Sequence, residues 1–83
     1  MLSLRFYTRK ECTLCRSAWV AVQRVRQRLP FELERIDIDE NPALRERYGS
    51  VIPIVTCGEI EVARTFIDEQ RLQKSLRKLA AGP

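Results

Sequence analysis

The chain has 83 residues, 45% apolar and 31% charged, with a formal net charge of +4. That size and balance predict one folded domain over 1–83 and exclude a disordered or repeat-built polypeptide. No apolar run reaches spanning length, no signal-like core precedes a small-residue cleavage site, and the basic residues carry no interleaved aromatics, so neither a membrane nor a nucleic acid is an expected partner.

The first element is a strand. In "LSLRFYT" Leu2, Leu4 and Phe6 alternate with Ser3, Arg5 and Tyr7. From Cys15 onward the apolar positions fall at Cys15, Ala18, Val22, Val25 and Leu29, in steps of three and four that define one helix face. Trp19 lies one position off that stripe, and Pro30 stops the helix. "FELERIDID" (Phe31 to Asp39) reads as a second strand whose alternation changes phase between Leu33 and Ile36. A strand covered on both faces, or a bulge, would account for that.

"DENPALRERYG" predicts a short helix with Asn41 as N-cap, Pro42 in the first turn and Gly49 at the C′ position. The β-branched run "VIPIVTC" (Val51 to Cys57) predicts a third strand. Gly58 and Glu59 turn the chain, and "EIEVA" (Glu59 to Ala63) returns as a fourth. A last helix runs from about Ile67 to Leu79, with either Thr65 or Asp68 as its cap. The expected fold is α/β in the order β-α-β-α-β-β-α. It has a four-stranded mixed sheet, a right-handed crossover between its first two strands, and helices on both faces.

Three cysteines cannot close a paired disulfide framework, and a reducing cytoplasmic setting is expected. Two of them, Cys12 and Cys15, form a C-x-x-C where the first strand gives way to the first helix. A helix N-terminus presents unpaired N–H groups and a partial positive charge, which favour a thiolate. Arg9, Lys10 and Arg16 add cations nearby and Glu11 opposes them. Such surroundings bring a cysteine from about 8.5 to roughly 3.5–7.5, and that lowered range is expected for Cys12. Residues three apart on a helix are neighbours, so Cys15 can resolve a mixed disulfide formed on Cys12.

A metal or iron–sulfur module built on the same cysteines is the alternative. With no histidine and only Cys57 besides, it would need a carboxylate or a second chain. Cys57 reads as structural. Asp37 and Asp39 read as the polar end of a strand, and Tyr7 as a residue packing at the core edge or beside Cys12. Pro53 in "VIPI" is either a plain trans proline at a strand start or a cis-proline facing the cysteines, which would leave the Ile52 backbone free to pair with an extended peptide.

"FYTRKECTLC", "VIP" and "DID" with "NPALRERYG" resemble the glutaredoxin branch of the thioredoxin superfamily over nearly the whole chain, particularly its small glutaredoxin-like proteins. The resemblance implies a thioredoxin fold, a cis Pro53 and thiol–disulfide exchange. Cys12 and Cys15 would be catalytic, and Arg9, Val51, Ile52 and Pro53 would contact substrate. It implies a protein or small-molecule disulfide substrate, no required cofactor, and glutathione or a thioredoxin-reductase-like donor as reductant; a monomer is expected. Thr13 and Leu14 stand where glutaredoxins usually carry Pro-Tyr, and Ala63-Arg64-Thr65 near where they carry Gly-Gly, so a side chain there would crowd glutathione.

Overall fold

The first segment forms a strand at the centre of the sheet, paired on both edges. In this computed structural model, which describes residues 1–82, β1 (Leu2–Thr8) lies between β2 (Phe31–Asp37) and β3 (Ile54–Cys57), with β4 (Ile60–Arg64) outside β3, so the order is β2-β1-β3-β4. β1 and β2 run parallel from Leu2↔Phe31 to Thr8↔Asp37. β3 runs antiparallel to both β1 and β4. The helices α1 (Thr13–Arg28), α2 (Pro42–Tyr48) and α3 (Glu69–Ala81) complete the order β-α-β-α-β-β-α.

Side-chain alternation assigns the two sheet faces. Phe6 is fully buried and meets Trp19 of α1 edge-on, with ring centroids 5.1 Å apart. Tyr7 points the other way and packs on Tyr48 of α2 at 4.7 Å. α1 also packs against α3, whose Leu72 and Leu76 are buried. Each large aliphatic or aromatic side chain buried in this core contributes roughly 1.5–3 kcal/mol relative to exposure. The stripe Cys15, Ala18, Val22 and Val25 is wholly buried, as its spacing requires.

Several boundaries differ from the sequence reading, each for a local reason. β2 ends at Asp37 rather than Asp39, because the Asp37 carboxylate accepts from Asp39 N–H at 2.9 Å and caps a 3₁₀ turn over Ile38–Glu40. β2 carries no bulge against β1. Leu33 and Ile36 are each partly buried, and the irregular step lies between Val55 and Thr56, where β3 pairs with β4. β3 begins at Ile54 rather than Val51, because Val51 and Ile52 donate their N–H groups to the Tyr48 carbonyl and close the end of α2. Gly49 is a C-cap in the right-handed region, not a left-handed C′ residue. α3 begins after Asp68, which accepts from Arg71 N–H at 2.9 Å and is thus the cap; Thr65 is not. Among the described residues no helix is long and apolar enough to cross a membrane.

Candidate functional site

Four chain segments meet at one end of the sheet. The Arg9–Cys12 loop leaves β1 after Thr8, and the Asp39 turn leaves β2 after Asp37. Val51–Pro53 leads into β3, and Thr65 follows β4. The register requires this: Thr8 pairs with Asp37, Tyr7 with Ile54, and Ile54 with Arg64. The carboxyl ends of parallel strands are where open α/β sheets place their sites.

Cys12 is the N-cap of α1. Its backbone is extended, and its sulfur accepts from Cys15 N–H at 3.1 Å, the position an N-cap side chain takes toward the third helical residue. The first turn of α1 contains no acidic residue, so nothing there neutralises the positive helix end. Cys12 and Cys15 are at disulfide-bonding distance, with Cα atoms 5.2 Å apart. That lies within the usual 4.4–6.8 Å range for a bridged pair. Cys12 is half-buried and Cys15 buried, so the leading sulfur is the one solvent reaches more readily. A groove of about 320 Å³ opens beside them, lined by Thr8, Arg9, Lys10, Glu11, Arg16 and Arg35 as well as both cysteines.

Arg9 is brought to the site but is already engaged. Its Nε donates to Asp39 at 3.2 Å, and its Nη2 donates to the other carboxylate oxygen. The hydrogen bond holds Asp39 below its ordinary carboxylate range and raises Arg9, with burial opposing both shifts. Sequence reasoning missed this partner and read Asp39 only as a strand end. The signal was present in the parallel crossover, which places the residues after β2 beside those after β1.

The Ile52–Pro53 peptide is cis. Pro53 is fully buried and Ile52 buried, whereas Val51 is half-buried. The expectation of a free Ile52 backbone is corrected in part. Its N–H is taken by the Tyr48 carbonyl at 3.1 Å, while its carbonyl has no internal donor among the described residues. Thr65 ties this loop from the far side. Its N–H donates to the Pro53 carbonyl at 2.7 Å and its hydroxyl to the Val51 carbonyl at 2.9 Å. Thr65 does so at φ 61°, a left-handed conformation that β-branched residues rarely adopt. Thr65, in the stretch that lies near the Gly-Gly of the resemblance, thus has a glycine-like backbone.

The remaining singled-out residues lie apart from the sulfurs or serve packing. Cys57 pairs with Leu4, near the opposite end of β1 from the Cys12 loop, so it cannot join the other two sulfurs. Among the described residues no three His, Cys, Asp or Glu side chains gather as a metal-ligand set. Tyr7 is buried against Tyr48, and Trp19 is half-buried beneath the Arg35 guanidinium, 4.7 Å from its ring centroid.

The glutaredoxin-like domain (DUF836) matches residues 3–77. The chain belongs to that family. No curated protein matches the sequence. Among solved structures, the chain is similar to the protein XcR50 from X. campestris, with 27% identity, a TM-score of 0.77, and coverage of 98% of this chain and 100% of that one. It is similar to protein Ne2328 from Nitrosomonas europaea at 28% identity, TM-score 0.75, covering 88% of each chain. Its fold also matches thioredoxin 1 from Thermosipho africanus at 16% identity, TM-score 0.70, covering 96% of each chain. This glutaredoxin-like chain therefore has a thioredoxin-like fold, with its two C-x-x-C sulfurs at bonding distance.

Proposed function

We propose that this glutaredoxin-like chain is a thiol–disulfide oxidoreductase that works through Cys12 and Cys15. The observation that carries the proposal is the Cys12 sulfur acting as helix cap, at hydrogen-bond distance from Cys15 N–H and beside Lys10 and Arg16. A hydrogen bond and positive potential directed at a sulfur favour its anion. In the reduced protein the Cys12 thiolate attacks one sulfur of a substrate disulfide. An S–S bond forms between Cys12 and that sulfur, and the other substrate sulfur leaves as thiolate and takes a proton. Cys15 then loses its proton and attacks Cys12. The intrachain disulfide closes and the second substrate thiol is released, so two electrons and two protons have passed to the substrate. An external dithiol, or two monothiols such as glutathione, returns the protein to its reduced form.

The Ile52 carbonyl and the Val51 side chain are the parts of the cis-proline loop offered to an incoming chain; the Pro53 ring supports the loop from within. Arg9 acts as half of an ion pair rather than as a free anion receptor. The test is a trapping experiment. Cys15→Ser should accumulate a mixed disulfide on Cys12, visible as an added substrate mass that dithiothreitol removes. A variant that acquires no adduct, together with a Cys12 thiol titrating at its ordinary value, would end this reading. Metal analysis of protein purified without chelator addresses the alternative module, for which stoichiometric zinc or iron would be the signature.

A further inference from the structure

The two flanks of the dithiol differ in character. On one side the groove walls carry Arg9, Lys10, Arg16 and Arg35 against a single acid, Glu11. Arg9 is neutralised by Asp39, and Lys10 and Arg35 also line the adjoining recess that holds Asp37 and Glu40; in the groove beside the sulfurs Lys10, Arg16 and Arg35 face Glu11. Arg35 is held in place by stacking on Trp19. On the other side, a second recess of about 270 Å³ is lined by Leu14, Ser17, Thr65, Phe66, Ile67 and Asp68. Phe66 is 78% exposed and Leu14 38% exposed there. The Thr65 conformation turns the chain at this point, and Thr65 is fastened to the cis-proline loop.

From this polarity we infer that the substrate is an acidic protein segment. It carries carboxylates beside the disulfide sulfur that Cys12 attacks, and an apolar residue on the other flank to meet Leu14 and Phe66. The inference rests on the exchange reading above. Opposite charge raises encounter rates and disfavours cationic competitors. Cations next to the sulfur also favour approach of an anionic chain to a thiolate that would otherwise repel it. A segment long enough to touch both recesses uses surface that a single small disulfide cannot cover.

The experiment varies the substrate around a fixed reaction. The reduced full-length protein is given peptide disulfides that differ only in having Glu, Gln or Lys next to the reactive cysteine. The kcat/KM values should fall in the order Glu, Gln, Lys, with a Glu-to-Lys ratio of about tenfold at low salt that collapses toward unity near 1 M salt. Arg35→Glu should reduce that ratio, whereas Lys74→Glu with Arg77→Glu on α3 should leave it in place. A ratio near unity at low salt, or one that responds equally to the α3 changes, overturns the inference. So does turnover of glutathione disulfide as fast as the Glu peptide. Failure to reduce even the Gln peptide overturns the exchange reading itself, so the two failures are distinguishable.

Discussion

The helices α1 and α3 begin in the same way and with different atoms. In each, a side chain at the N-cap accepts from an N–H three residues on: the Cys12 sulfur from Cys15 at 3.1 Å, and the Asp68 carboxylate from Arg71 at 2.9 Å. Asp68 is the kind of cap that local stability favours, and Glu69 follows it in the first turn. α1 has neither feature. Its cap is a cysteine, and its first turn has no acid. At α3 the helix end is satisfied permanently by carboxylates. At α1 the cap position is held by a sulfur, with no carboxylate in the first turn. The contrast shows that the α1 start is poorly optimised as a cap, as the proposed use of its sulfur would require.

The largest effect that could break this comparison is on activity. Cys12→Ser keeps an N-cap acceptor but removes the nucleophile, so peptide-disulfide reduction should fall by about 10³-fold or more. The denaturant midpoint of the reduced protein should change by no more than about 1 kcal/mol equivalent. Equal losses of activity and stability would mean that the sulfur is only a cap. Next, Asp68→Ala should destabilise the fold by about 1 kcal/mol in chemical denaturation.

A smaller change makes α1 resemble α3. Thr13→Glu places a carboxylate in the first turn and should raise the Cys12 thiol pKa by roughly 0.2–0.7 of a unit, followed as thiolate absorbance at 240 nm. The smallest effect concerns the Arg9–Asp39 pair. The hydrogen bond from Arg9 is the main cause that holds Asp39 below its ordinary value of 3.8; the charges of Arg9, Arg45 and Lys10 add to it and burial opposes it. Because the folded value lies below the unfolded one, the pair's contribution is fully present above the unfolded value. It is lost as pH falls through the folded one. Asp39→Asn should therefore remove a shallow part of the acid limb of the stability profile, measured by urea melts below pH 5.

The sequence made the dithiol legible because its chemistry depends on local order: a strand, a short loop, two cysteines one turn apart, then a helical stripe. The element order, the β1–β2 crossover and the β3–β4 hairpin were legible for the same reason, since short connections limit the possible topologies; the place of β3 beside β1 was not. What escaped the sequence was set by contacts between distant segments. The Arg9–Asp39 pair spans a separation of 30 residues and follows from the register of β1 on β2. The left-handed Thr65 contradicts the local preference of a β-branched residue. Its φ is fixed by bonds to Val51 and Pro53, which local pattern does not encode. The choice of Asp68 over Thr65 as cap was ambiguous for a related reason. Both are acceptors at suitable spacing, and only the cis-proline loop claims one of them.

The covalent link between Cys12 and Cys15 spans a sequence separation of only 3. A ring that small constrains the unfolded chain far less than one joining distant segments. The packed interior of Leu4, Phe6, Val22, Ile54 and Leu76 includes the Cys15 side chain, with Cys12 at its edge. The loop-closure contribution of so short a link is therefore small beside that packing. The proposed exchange would make and break that bond while packing, not the bond, carries the architecture.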